Sequence, residues 1–103
     1  MKVELAQLAG RDNDTAYNLE RTLAAIAACA ADTQLIMFPE GHLMGFPSAE
    51  SVADVAEPVD GPSVSAVLDA ARQRKIAVAI GMAEIDNGRF YNTTLLITLK
   101  ASR

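Results

Sequence analysis

The chain has 103 residues, 50% of them apolar and 21% charged, which is the composition of one globular domain and too short for a two-domain enzyme. Thirteen acidic against nine basic side chains leave a net charge of −4, and nucleic-acid binding is not expected because it depends on cations that neutralise phosphates. Cys29 is the single cysteine and His42 the single histidine, which excludes an internal disulfide and the common Cys and His metal motifs.

The first third of the chain predicts a strand followed by a helix. Residues 3–9 carry spaced Val and Leu side chains and run into a polar turn, which is typical of a strand and its end. Residues 15–31 place apolar side chains along one helix face, with Asp14 or Thr15 as the N-cap. The side chains of this face are Leu19, Leu23, Ile26 and Ala30.

A second strand and two helices follow. Residues 35–38 are apolar without interruption and end at Pro39, which predicts a strand buried on both faces. Residues 48–57 predict a short helix between two prolines. Residues 62–75 predict a longer helix, with Pro at its first position and cations in its last turn.

The last part of the chain predicts a hairpin of two strands. Residues 76–81 form the third buried strand, and a turn at 86–88 separates it from a fourth strand over 90–99. The fourth strand alternates, with Tyr91, Thr93, Leu95, Ile97 and Leu99 on one face and Asn92, Thr94, Leu96 and Thr98 on the other. The order of elements is that of an α/β sheet with crossover helices, and the stop close to the last strand indicates a truncated domain.

Glu40 directly follows the second strand, at the end where open α/β sheets bind their ligands. Its apolar neighbours Phe38, Leu43, Met44 and Phe46 are expected to bury the carboxyl. A buried carboxyl suits a general base or acid that works near neutral pH. The alternative from the local sequence is that Glu40 caps the turn and points to water.

Several separated motifs share their order and spacing with one enzyme family. They are Gln7, Asn18, the Leu-Ile-Met-Phe-Pro-Glu run over 35–40, Gly45-Phe46, the segment 61–72, Ile80-Gly81-Met82-Ala83-Glu84 and Phe90-Tyr91-Asn92-Thr93. Over nearly the whole chain these motifs resemble the N-terminal part of the nitrilase superfamily, the carbon–nitrogen hydrolases. The resemblance depends on their combination, because no single motif is specific.

The resemblance implies an α/β fold, the N-terminal half of an α-β-β-α sandwich, as one truncated domain over residues 1–103. It also implies hydrolysis of a small amide or nitrile by a Cys, Glu and Lys set through a thioester-type intermediate. Glu40 matches the general base of this set. Lys100 comes too early for the lysine, and Cys29, in the middle of the predicted helix, is expected to be a packed residue. The chain alone is therefore expected to be inactive.

Three further residues, His42, Phe46 and Asn92, are candidates for the substrate pocket. His42 is either an acid–base partner of Glu40 or a solvated or packed loop residue. Phe46 stands where the resemblance places an aromatic residue near the pocket, or it belongs to the core. Asn92, like Glu84, lies beside a buried strand and is expected to satisfy backbone groups or brace the site more than to touch substrate.

Two functions from different classes stay open. The first is the N-terminal part of a nitrilase-type amidohydrolase, completed by a missing C-terminal half. The second is a non-catalytic homologue that associates with a copy of itself or with another chain, because half a sandwich leaves apolar sheet faces uncovered. Either way a homo-oligomer or a complex is expected, with residues 90–99 in the contact. A flavodoxin-like ligand binder is disfavoured, because no Gly-rich phosphate loop follows the first strand.

The sequence also bears on location and cofactors. Its longest apolar run that could enter a membrane, residues 23–31, is much shorter than the about 20 residues that a span needs. The N-terminus carries no signal-peptide pattern. We therefore expect a cytoplasmic protein without membrane contact, and we predict neither a metal nor a cofactor.

Overall fold

Strands and helices alternate along the chain as the sequence predicts. The computed structural model describes residues 1–98, so Leu99 and Lys100 lie outside the described part of the chain. Within that part the elements in chain order are β1 Val3–Leu5, α1 Thr15–Ala28, β2 Leu35–Met37, α2 Val52–Val55, α3 Pro62–Arg74, β3 Ala77–Asp86 and β4 Arg89–Ile97.

The strands of residues 1–98 form a sheet in the order β1-β2-β3-β4. Strands β1, β2 and β3 run parallel, whereas β3 and β4 form an antiparallel hairpin. Parallel neighbours need crossover connections, and the segments that contain α1 and α3 provide them. Strand β2 therefore has a neighbour on each side, and the residues that follow it emerge from the interior of the sheet.

The hydrophobic core lies between one face of the sheet and helices α1 and α3. The largest fully buried side chains of these elements are Ile26, Ile36, Val67, Val78, Ile80 and Met82. Arg74 ties the two helices together, because its guanidinium donates to the carbonyl oxygens of Ala27 at 2.7 Å and Cys29 at 2.8 Å. These bonds satisfy carbonyl groups that the end of α1 leaves without helical partners.

The opposite face of the sheet, here called the open face and defined by Val3, Leu5, Met37 and Leu96, carries exposed apolar side chains. Cross-strand pairing places Leu5, Met37, Ala79 and Leu96 in one row. The exposed fraction is 66% for Leu5, 41% for Met37 and 64% for Leu96. The predicted burial of the second strand on both faces is therefore wrong, because within residues 1–98 the helices cover the other face. The burial predicted for the third strand is confirmed over most of its length.

Two strand boundaries differ from the predicted ones by four or more residues. Strand β1 ends at Leu5 instead of residue 9, because pairing with β2 stops after the Ala6 N–H donates to the Met37 carbonyl oxygen at 2.9 Å. Strand β3 continues to Asp86 instead of residue 81, because β4 pairs with it along its whole length. The predicted turn between β3 and β4 is confirmed, with Asn87 at φ 51° and Gly88 at φ 77°.

Helices α1 and α2 are shorter than predicted by three or more residues. Helix α1 ends at Ala28 instead of residue 31, because Cys29 has an extended backbone at φ −62° and ψ 156°. Cys29 therefore caps the helix and does not lie in its middle. Helix α2 covers Val52–Val55, within the predicted 48–57. None of the helices in the described residues is long and apolar enough to cross a membrane.

Candidate active site

The site is built on the loop that follows β2. Glu40 begins this loop just beyond Pro39, and Gly41 and Gly45 bend it with φ of 66° and 71°. The loop lies directly on β3, where the Leu43 N–H donates to the Gly81 carbonyl oxygen at 3.0 Å. A Cβ atom on Gly81 would lie 2.4 Å from the backbone nitrogen of Gly41, so this close approach requires glycine on the strand.

The connection between β1 and α1 holds the loop from the other side. The buried Asn18 donates from Nδ2 to the carbonyl oxygens of Leu43 at 3.0 Å and Arg11 at 2.8 Å, and its Oδ1 accepts from the Arg11 N–H at 2.8 Å. The Asp12 carboxylate accepts from the Phe46 N–H at 3.0 Å. Asp12 is a positioning residue that sequence reasoning missed, because its polar turn carries no local signal for a partner so far along the chain.

His42 is a packed loop residue, only 5% exposed, with its ring 4.8 Å from that of Phe38. Its Nε2 lies 2.9 Å from the Thr22 hydroxyl oxygen, and this hydroxyl donates to the Asn18 carbonyl oxygen at 2.7 Å. Because the hydroxyl proton is used there, we assign the ring proton to Nε2 as the donor. Burial lowers the pKa of His42 below its ordinary value. The structure thus favours the packed alternative over an acid–base partner.

Glu40 is exposed, which contradicts the predicted burial of its carboxyl. The apolar neighbours in sequence do not surround it, because Phe38, Leu43 and Met44 are buried in the core below the loop while Phe46 is itself 64% exposed. The position at the end of an internal strand is as predicted. A carboxylate that is open to solvent and fixed at the end of a strand is accessible to a substrate.

Asn92 is the side chain that holds Glu40. Its Nδ2 donates to Glu40 Oε2 at 2.6 Å, across 52 positions of sequence. Asn92 lies on the same side of β4 as Leu96, because strand side chains alternate. Within residues 1–98 the Glu40 side chain has no other hydrogen-bond partner, so Oε1 is left for another group. Glu84 is not part of this arrangement, because its carboxylate accepts from the Thr93 hydroxyl at 2.6 Å.

Two cavities flank the loop of Glu40. One, of about 180 Å³, is lined by Glu40 and His42 together with the loop and the turn after β1. The other, of about 240 Å³, is apolar and includes Asn92 in its lining. Its main walls are Phe46, Pro47, Val52, Met82, Phe90 and Tyr91. The three predicted pocket residues therefore all line cavities next to Glu40.

Cys29 lines neither of these two cavities. It is 6% exposed, and its Sγ accepts from the Arg74 guanidinium at 3.3 Å, so it is the packed residue that the sequence predicts. Among residues 1–98 no group of three or more His, Cys, Asp or Glu side chains is arranged to hold a metal ion.

Comparison with known proteins reveals two sequence relatives and a solved structure with the same fold. The chain is 57% identical over 98 residues to an (R)-stereoselective amidase of Pseudomonas sp, covering 95% of this chain and 36% of the amidase. It is 33% identical over 99 residues to an aliphatic nitrilase of Rhodococcus rhodochrous, covering 82% and 27% respectively. A CN-hydrolase superfamily protein from Xanthomonas campestris shares its fold, with a TM-score of 0.82 at 27% identity over 93% of this chain and 36% of that protein.

These relatives are much longer than the chain, which spans roughly a third of their length (36% of the amidase and 27% of the nitrilase). The predicted fold class, part of a nitrilase-type sandwich, is confirmed by the structural match. The model of the carbon-nitrogen hydrolase family matches residues 2–103. The chain therefore belongs to the carbon–nitrogen hydrolase family.

Proposed function

We propose that this chain supplies the general base, Glu40, of a hydrolase that cleaves the C–N bond of a small amide or nitrile. The observation that carries the proposal is the bond from Asn92 to Oε2, which fixes an accessible carboxylate and leaves Oε1 for proton transfer. The names of the amidase and the nitrilase support the substrate class. Cytoplasmic location stays a prediction.

The lysine and the cysteine of the site come, in this proposal, from outside residues 1–98. Glu40 accepts the thiol proton as the sulfur bonds to the amide carbon, and it returns a proton to the departing amine. The carboxylate then takes a proton from water, whose oxygen attacks the thioester carbon. The carbon–sulfur bond breaks, Glu40 passes this proton to the departing sulfur, and the acid and the thiol are released. Each step needs one free oxygen on Glu40, and the bond from Asn92 leaves Oε1 available.

The open face favours a second candidate, a non-catalytic module that binds a copy of itself or another chain. Leu5, Met37 and Leu96 are exposed apolar side chains in one row across the sheet, with the buried Ala79 between Met37 and Leu96, and exposed apolar surfaces mark interfaces. In the catalytic proposal the rest of a longer chain covers this face. In the second candidate a separate molecule covers it, and Glu40 has no chemical role.

A chimaera distinguishes the two candidates. Residues 1–98 replace the segment that they match in the Pseudomonas amidase, whose 57% identity makes the junction tolerable. We expect this amidase chimaera to hydrolyse benzamide and the isolated 103-residue chain to be inactive. An inactive chimaera that folds and assembles like the parent amidase would contradict the catalytic proposal. Turnover by the isolated chain that is lost in Cys29→Ala would contradict the assignment of Cys29.

A further inference from the structure

The larger cavity beside Glu40 is lined mainly by apolar side chains. Phe46 and Phe90 supply aromatic surface, and Pro47 and Val52 supply aliphatic surface. No charged side chain of the described residues lines it. A charged group placed there would lose hydration without gaining a partner, whereas an apolar group would be transferred out of water.

The size of the cavity sets what it can hold. Its volume is about 240 Å³, and an apolar protein cavity of about 150 Å³ already accommodates benzene. One six-membered ring or a branched alkyl group therefore fits, with room left for its link to a reacting carbon. A methyl group would leave most of the apolar wall uncovered.

The cavity lies beside the residues that adjoin and hold the carboxylate. Asn92, which holds Glu40 Oε2 at 2.6 Å, is one of its lining residues, and so is Gly41, the next residue after Glu40. Phe46 also lines the cavity, and its backbone N–H donates to the Asp12 carboxylate at 3.0 Å. Its ring lies so close that a Cβ atom on Gly41 would be 2.9 Å from it.

We infer that this cavity binds the substituent on the reacting carbon of the substrate, and that it selects neutral amides or nitriles with a ring-sized apolar group over acidic ones. The inference rests on the proposed function and deepens it, because the carboxylate fixes where the reacting carbon lies. Phe90 on β4 is the main specificity residue of the cavity, and Phe46 lines the cavity from the loop.

The test compares benzamide with succinamate in the amidase chimaera. Phe90→Ala removes an aromatic wall, whereas Leu96→Ala removes another exposed apolar side chain of the same strand, outside the cavity. We expect Phe90→Ala to lower the ratio of kcat/KM for benzamide to that for succinamate by about tenfold, the usual effect of changing an apolar pocket. Leu96→Ala should leave the ratio unchanged.

Binding to the 103-residue chain gives a second readout that needs no catalysis. Benzamide should shift the NMR signals of the Asn92 side-chain amide and the Ala83 amide, succinamate should not, and Glu40→Gln should keep the response. Equal ratios for the wild type and Phe90→Ala, or occupation of the cavity by other protein residues, would overturn the inference. Loss of all activity in the chimaera with benzamide binding intact would instead count against the proposed function alone.

Discussion

At the scale of single residues, the bond between Asn92 and Glu40 explains how an exposed carboxylate keeps one orientation. The 2.6 Å separation is that of a strong bond to a charged acceptor. Each partner comes from a different part of the chain, so the bond exists only when β4 lies beside the loop after β2. Neither side chain is held in this way by its immediate neighbours in sequence.

Replacing Asn92 by Asp tests this positioning role, because Asp has the same shape but cannot donate to a carboxylate when ionised. In the amidase chimaera we expect Asn92→Asp to lower kcat by about tenfold or more, with a smaller change in KM. Thr94→Val on the same side of β4 is the matched control and should keep kcat. A normal kcat in Asn92→Asp would show that Asn92 serves only packing.

His42 gives the protein a pH-dependent stability with a defined sign. Burial lowers its pKa in the folded state, so the unfolded chain binds a proton first as the pH falls. The free energy of unfolding should therefore be highest above the ordinary histidine pKa of about 6.5 and fall below it, down to the lowered folded-state value. Urea unfolding at pH 7.5 and pH 5.5 measures this difference.

The variant His42→Gln supplies the comparison for that measurement. It removes the single histidine of the chain, so the remaining pH dependence in this range comes from other groups. We expect the wild type to lose more stability than His42→Gln between the two pH values, at equal protein concentration. An equal loss in both proteins would mean that burial of His42 does not penalise its charged form.

At the scale of elements, Asn18 links three segments of chain that position the site. Its Oδ1 and Nδ2 bond to Arg11 and Leu43 within the turn after β1 and the loop after β2. We expect Asn18→Ala to lower the free energy of unfolding by about 2–3 kcal/mol, because buried backbone groups lose their partner. Gln73→Ala, on the exposed side of α3, should change it little, and a similar effect of both in urea unfolding would contradict this role.

The element order was predictable from the sequence, because apolar period and turn residues are local signals. The full length of β3 was not predictable, since its extension to Asp86 depends on pairing with β4. The carbonyl groups at the end of α1 are bound by Arg74, which lies far along the chain, so local sequence does not reveal their partner. The position of Glu40 followed from the strand and proline before it, but its exposure did not, because local apolar neighbours do not reveal which way each side chain turns.

At the scale of the whole molecule, the open face determines how the chain behaves in isolation. The exposed apolar side chains of Leu5, Met37 and Leu96 on one face of the sheet favour association. The 103-residue chain is therefore expected to form a dimer or a larger complex at micromolar concentration, with β4 in the contact. Sedimentation of a stable, cooperatively unfolding monomer would contradict this expectation.

A charge on the open face should weaken that association. Leu96→Lys places a cation at the β4 end of the row, and burying it in a contact without a partner is costly. We expect sedimentation to show more monomer for Leu96→Lys than for the wild type, whereas Glu20→Lys on the exposed side of α1 should behave like the wild type. Unchanged assembly in Leu96→Lys would place the contact elsewhere.

Replacing Glu40 by Gln in the amidase chimaera tests most directly whether Glu40 is the general base. The matched control is Glu50→Gln, at an exposed position on the segment that follows the loop. Glutamine keeps the shape of Glu40 and its link to Asn92 but cannot accept a proton. We predict that Glu40→Gln lowers kcat/KM for benzamide by about 10²–10⁴-fold, the usual contribution of a general base, while Glu50→Gln keeps it. Activity within twofold of the unsubstituted chimaera in Glu40→Gln would contradict the assignment of Glu40 as the general base.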